Sequence, residues 1–181
     1  MKINYACGKR VLDGYVNIDA VANPGAPRPP EVIHAMTFDA AGALMRRVPL
    51  GDCVAFELMS IHFLEHVHAW EAPAMLAEWR RLLKPGGALV LELPDLLKCA
   101  SNLLALVGAG GKPVQQMGLW GIYGDDTLRD PYMCHKYGWW PDSLRALLAA
   151  GGFERIREEP TQWHGAGRKN RDMRLTAVRA C

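Results

Sequence analysis

Two short apolar strands at the start of the chain are separated by very little, and that spacing constrains the fold more than any other stretch. Lys2-Ile3-Asn4-Tyr5-Ala6 reads as a buried strand and Tyr15-Val16-Asn17-Ile18-Asp19 as a second. Parallel neighbours normally need a crossover of about a dozen residues or more, usually carrying a helix. Residues between Cys7 and Gly14 therefore read as a stripped-down turn or a single helical turn. Small residues, Cys7-Gly8, follow the first strand, and an acid, Asp19, closes the second. In α/β folds, small residues let the backbone approach a nucleoside-containing ligand, while such an acid accepts from the ribose hydroxyls.

The rest of the chain alternates in the same sense. Asn23 to Pro30 is an irregular Pro-rich loop, Glu31–Met36 a third strand and Ala40–Arg47 a short helix. Asp52–Ser60 is a fourth strand, followed by a turn or short helix over Phe63–His68. Met75, Leu76, Trp79, Leu82 and Leu83 recur at helical spacing and predict a helix over Ala72–Leu83. Pro85-Gly86-Gly87 stops it, and Ala88–Leu93 is a near-continuous apolar strand suited to a central parallel position. Leu96–Val107 reads as a helix. Pro141–Ala150 is a further helix, opened by proline and ended by Gly151-Gly152. Phe153–Glu158 and Arg174–Val178 close the chain as strands, joined by a polar, basic loop over Thr161–Asp172. Strand-helix alternation with a closing strand pair predicts an α/β fold on a mostly parallel sheet.

The length, 181 residues, predicts one domain with an irregular substrate-side insert over about 95–140. A net charge of +2 gives no electrostatic case for nucleic acid or a membrane surface. The five cysteines form no C-x-x-C pair, so free thiols in a reducing cytoplasm are expected, and no metal site. Neither a signal peptide nor an apolar run of membrane-spanning length is expected.

Ligands of open α/β sheets sit beyond the carboxyl ends of the strands. The first four strand ends bring Ala6-Cys7-Gly8, Asp19, Asp39 and Ser60-Ile61-His62 to that edge. Together with I-N-Y-A-C-G (Ile3–Gly8), G-Y-V-N-I-D (Gly14–Asp19), Phe38-Asp39-Ala40, S-I-H-F-L-E-H (Ser60–His66) and R-L-L-K-P-G-G-A-L-V-L-E-L-P-D (Arg81–Asp95), the pattern resembles the class I S-adenosylmethionine (SAM)-dependent methyltransferases. Within them it is similar to the small methyltransferase type 11-like proteins. The resemblance implies a Rossmann-like fold: a seven-stranded, mostly parallel sheet with an antiparallel last strand, here with a reduced first helix. It implies that SAM is the cofactor. Ala6, Cys7 and Gly8 would face its methionine part, Asp19 its ribose, and Asp39 with Ala40 its adenine. Ser60 and His62 would flank the methionine moiety. A small-molecule or glycan acceptor would take the methyl group. Ala6 stands where the family usually has glycine, and this motivates a second reading: a non-catalytic member that binds cofactor weakly or acts as an interaction module.

Several residues admit more than one role. His62-Phe63-Leu64-Glu65-His66 also spells the inverted zinc-protease motif H-x-x-E-H, which needs both histidines on one helix face. The plainer reading has Glu65 opening a helix at its positive end. A base for the acceptor proton is sought among His62, His66 and His135, because histidine titrates near neutrality. His62 and His135 are the catalytic candidates, His135 on the substrate side within the aromatic insert. Trp120, Tyr123, Trp139 and Trp140 are either pocket walls or core. Arg168, Lys169, Arg171 and Arg174 are expected on a solvated loop.

Overall fold

The computed structural model describes residues 1–20, 32–38, 44–45, 47–110, 118–129, 133–164 and 170–181. They form one sheet flanked by helices. The strands are β1 (Lys2–Tyr5), β2 (Tyr15–Ala20), β3 (Val32–Phe38), β4 (Leu44–Met45), β5 (Ala55–Ile61), β6 (Leu83–Pro94), β7 (Phe153–Glu159) and β8 (Asp172–Arg179). The helices are α1 (Ala72–Leu82), α2 (Leu96–Gly108), α3 (Leu119–Tyr123) and α4 (Pro141–Ala150). The sheet order is β4-β3-β2-β1-β5-β6-β8-β7. β3, β2, β1, β5 and β6 run parallel, and β8 is antiparallel to both β6 and β7. The chain steps outward from β1 in one direction through β2 and β3, then returns to the other side with β5. The β1–β5 border is therefore the topological switch point.

The expected first helix is absent, not merely reduced: residues 6–14 contain no helix. A pair of buried asparagines takes its place. Asn4 and Asn17 face one another in register on β1 and β2. Asn4 Nδ2 donates to Asn17 Oδ1 at 2.8 Å and to the carbonyl of Arg10 at 2.9 Å. Asn17 Oδ1 also accepts from Leu12 N at 3.0 Å, while its Nδ2 donates to the carbonyls of Leu12 and Tyr15. Side-chain amides thus satisfy loop backbone groups that a crossover helix would have satisfied internally.

The middle of the chain follows its apolar pattern. Met75, Leu76, Trp79 and Leu82 are buried, and Trp79 and Phe63 both meet the Tyr5 ring edge-on. β6 begins earlier than the Pro-Gly-Gly signal suggests, because Leu83 already pairs with Ala55. Gly87 permits this: a Cβ there would stand 2.9 Å from the Lys84 carbonyl and 3.2 Å from that of Ala55. Leu44–Met45, placed by the sequence in a short helix, instead pairs antiparallel with Thr37–Phe38 as β4. No helix among the described residues is long and apolar enough to cross a membrane.

Candidate active site

The turn after β1 carries the first group of site residues. Ala6 has φ 58° and Gly8 φ 53°, both left-handed. A non-glycine residue there costs roughly 1–2 kcal/mol, so Ala6 adopts a backbone shape that glycine would take without strain. Cys7 N donates to the Ile18 carbonyl at 3.0 Å and brings the turn against the end of β2. The Cys7 thiol is buried. Burial, helped by the nearby Asp19 carboxylate, pushes its pKa up to about 11. Asp19 thus lies beside the turn, half-buried at the end of β2. Across β1, Tyr5 pairs with Ser60 of β5. Ser60 Oγ is buried and has no hydrogen-bond partner among the described residues. A Cβ built on Gly8 would meet nothing within 4 Å.

His62 follows at the end of β5 with φ 51°, its backbone N–H bonded to the Glu92 carbonyl. Its Nδ1 lies 3.1 Å from Glu65 Oε1 and its Nε2 3.2 Å from Asp172 Oδ2. Burial alone would lower its pKa, but the bonds to Asp172 and Glu65 outweigh that and raise it to about 9. Burial correspondingly opposes ionisation of Glu65, and His62 overcomes it, holding the acid near 2. Asp172 moves down for the same reason, assisted by Arg171 Nε at 2.6 Å. His62 is therefore an imidazolium at neutral pH. Both of its N–H groups are engaged by the two carboxylates, so it holds Glu65 and Asp172 in place and cannot take a proton.

A second cluster shares Glu65. His135 Nε2 is 4.0 Å from Glu65 Oε1, and the His66 and His135 rings meet edge-on at 4.8 Å. The Glu65 carbonyl accepts from the backbone of Lys136 at 2.7 Å and Tyr137 at 3.2 Å, fastening the insert to the turn. Burial foremost, with His66 adding to it, lowers the His135 pKa against the pull of Glu65, so His135 is neutral at pH 7. Glu65 does not open a regular helix as the sequence suggested. It lies in a short 3-10 turn (Leu64–His66) and its carboxylate turns back to His62.

The β7–β8 connection covers these groups. Glu92, fully buried on β6, accepts from the backbone of Gln162 and Trp163, each at 2.9 Å, and from Arg174 at 3.0 Å. Arg10, in the loop after β1, donates to the Trp163 carbonyl and lies over its ring at 4.9 Å. His164 meets the His62 ring at 4.7 Å. The expectation of a solvated basic loop fails at Arg171 and Arg174, which are buried on Asp172 and Glu92. Arg168 and Lys169 lie outside the described residues.

Ala6, Cys7, Gly8, Asp19, Ser60 and His62 thus share the edge the sequence assigned to them. Asp39 and Ala40 lie outside the described residues. His135 joins from the insert. The aromatic residues divide: Trp139 is core, donating to the Leu64 carbonyl, whereas Tyr123 is exposed. Glu65, Glu92, Trp163, His164 and Asp172 were not anticipated as site residues. Glu92 and Asp172 carried a signal, since an acid within an apolar strand requires a partner. A cavity of about 430 Å³ between α1 and α4, lined by Arg80, Arg81 and Arg179 among others, shares no residue with this edge.

The strand order, with a parallel body and an antiparallel closing pair, is that of the Rossmann-like methyltransferase fold. Solved structures share it over almost the whole chain. A SAM-dependent methyltransferase from Methanosarcina mazei aligns with TM-score 0.58 at 14% identity, covering 99% of this chain and 92% of that one. One from Archaeoglobus fulgidus gives TM-score 0.54 at 16% identity, covering 98% and 85%. Human N-acetylserotonin methyltransferase in complex with SAM gives 0.56 at 13%, covering 99% of this chain and 47% of that one. At such identities the likeness establishes the fold. No protein-family description and no curated protein matches the chain, so the narrower type 11-like resemblance rests on its motifs.

Proposed function

We propose that the chain is a methyltransferase that moves a methyl group from SAM to a polar small-molecule or carbohydrate-type acceptor. The observation that carries this reading is the edge at the switch point, where the Ala6–Gly8 turn is flanked by Asp19 of β2 and by Ser60 of β5, whose buried Oγ has no hydrogen-bond partner among the described residues. These groups fit SAM. The space at Gly8 admits a ligand, Ser60 can bond the methionine part, and one carboxylate can accept both ribose hydroxyls. When bound, SAM supplies an electrophilic methyl group on a sulfonium. Asp39 and Ala40 complete the adenine side in this reading.

The residues around His62 set the acceptor side. His62, with both N–H groups bonded to Glu65 and Asp172, fixes a positive charge there, and those two buried carboxylates fix negative charge beside it. Trp163 and His164 exclude water from the reacting atoms, which strengthens both effects. Such a surface suits a hydroxyl-bearing acceptor better than an apolar one. Free cysteines at all five positions accord with a reducing cytoplasm.

Calorimetric titration with S-adenosylhomocysteine tests the cofactor half. Micromolar binding that weakens at least tenfold in Asp19→Ala is expected, since a bond to a charged group contributes about 1.5–3 kcal/mol. Absence of binding at millimolar ligand refutes it. The second reading, a non-catalytic cofactor-binding or interaction protein, is favoured by one observation, the strained Ala6 in a loop without a helix behind it. It predicts binding without turnover on any hydroxyl-bearing acceptor.

A further inference from the structure

We propose that Glu65, His66 and His135 form a binding site for a first-row divalent metal ion such as Zn²⁺, Co²⁺ or Mn²⁺. One donor atom from each of the three lies within 4.8 Å of the other two. Donors sharing an ion at about 2.0–2.2 Å stand roughly 3–4 Å apart, so a small side-chain adjustment closes the triad.

The hydrogen bonds around the triad prepare it. His66 Nδ1 lies 3.2 Å from the Cys134 carbonyl, and His135 Nδ1 lies 3.1 Å from the Gly121 carbonyl. A carbonyl only accepts, so each Nδ1 carries a hydrogen in these bonds and each Nε2 is the nitrogen left to ligate. Metal-binding histidines are held in this way, the outer nitrogen tied back so that the inner one is free to ligate. The third ligand is oriented similarly. His62 occupies Glu65 Oε1, while Glu65 Oε2 is buried and has no hydrogen-bond partner among the described residues. Oε1 is the oxygen that lies 4.0 Å from His135 Nε2; a buried carboxylate with one oxygen lacking a donor is costly, and a cation bound to that carboxylate offsets the cost. The scaffold is preorganised as well, because the backbone of Lys136 and Tyr137 clamps the insert onto the Glu65 carbonyl.

Two imidazoles and one carboxylate suit zinc and its neighbours better than magnesium or calcium, which prefer all-oxygen shells. Three protein ligands leave coordination positions open. His62, bonded to Glu65 Oε1, lies beside the triad. The open positions would take an acceptor hydroxyl; this use rests on the methyl-transfer reading, whereas the site itself does not. The neighbouring group His62, His164 and Asp172 is the weaker candidate, because both His62 nitrogens already face carboxylates. The inverted zinc-protease arrangement is not formed either, since His62 and His66 belong to different groups.

The test uses the full chain, stripped with a chelator and titrated with Co²⁺ (followed by its visible absorption) and with Zn²⁺ (by calorimetry). One ion per chain at micromolar concentration is expected. His66→Ala and His135→Ala should each weaken binding at least tenfold, while His68→Ala should not, because His68 stacks on Trp70 outside the triad. Circular dichroism identifies a misfolded variant, and the more exposed His66→Ala keeps the test valid if His135→Ala fails to fold. No binding at 100-fold the expected concentration, unchanged binding in both histidine variants, or loss only in His164→Ala each overturns the proposal. Binding of S-adenosylhomocysteine, measured separately, keeps this outcome distinct from failure of the methyl-transfer reading.

Discussion

Asn17→Ala should be among the most damaging single polar substitutions in the molecule. The side chain is buried and makes four bonds, to the Asn4 amide, to Leu12 N, and to the Leu12 and Tyr15 carbonyls. A neutral bond contributes about 1 kcal/mol net. Water reaches part of the loop and replaces some of what is lost, leaving a cost of roughly 2–4 kcal/mol by the same scale. For a chain of this size that is a fall in Tm of about 5–15 °C. Cofactor affinity should fall too, because the loop runs directly into the Ala6–Gly8 turn. Ordering even one freed residue costs the ligand about 1–2 kcal/mol, close to a tenfold loss. Thermal and urea denaturation measure the first effect, and S-adenosylhomocysteine titration the second. Asn4→Ala should do less, and the double variant should cost less than the sum of the two singles, since one bond joins them. A Tm within 2 °C of wild type for Asn17→Ala, with unchanged affinity, would show that the asparagine pair does not hold the loop.

Three further outcomes are expected. Ala6→Gly should raise stability by about 0.5–1 kcal/mol, the left-handed strain relieved less the added freedom of the unfolded chain, and Ala6→Val should lower it; denaturant midpoints decide, and a less stable glycine variant refutes the strain. Glu92→Gln should cost about 3–5 kcal/mol by removing the buried counter-charge of Arg174, whose other carboxylate, the half-exposed Glu159, stands 3.9 Å away, so near-normal stability in urea would contradict the role given to that pair. At pH 8 a thiol held near pKa 11 is ionised in about one molecule per thousand. Iodoacetamide should therefore modify exposed Cys53, Cys134 and Cys181 while sparing Cys7 and Cys99, whose thiol burial pushes up to about 12. Peptide mass spectrometry reads this directly, and Cys7 labelling should begin only as the pH approaches 11.

The central architecture was legible because it is written in local patterns. Met75, Leu76, Trp79 and Leu82 are buried together on α1, and Leu89, Leu91 and Leu93 of β6 are buried in the same core. Polar and small residues at strand ends marked one sheet edge, where the structure has Ala6–Gly8, Asp19, Ser60 and His62. What escaped was non-local pairing. Arg174 looks like a surface cation until Glu92, 82 positions earlier, is set beside it. Glu65 looks like a helix opener until His62 and the distant His135 converge on it. Asn4 and Asn17 look like blemishes in apolar strands until their register makes them partners. Each is a polar group whose burial is compensated from elsewhere in the chain, and periodicity carries no information about that.

The cover built by Arg10 and Trp163 has a consequence for the order of assembly. The two residues are 153 positions apart. During translation the turn that would face the cofactor leaves the ribosome long before the residues that roof it, at about 5–20 residues per second. Until β8 pairs with β6, Arg174 cannot reach Glu92, and Glu92 has neither its counter-charge nor the Trp163 segment it anchors. Closure of the site is therefore a late folding event, coupled to insertion of the final strand. A chain halted before that strand would carry an open, water-filled cleft and an unneutralised acid in the middle of its sheet.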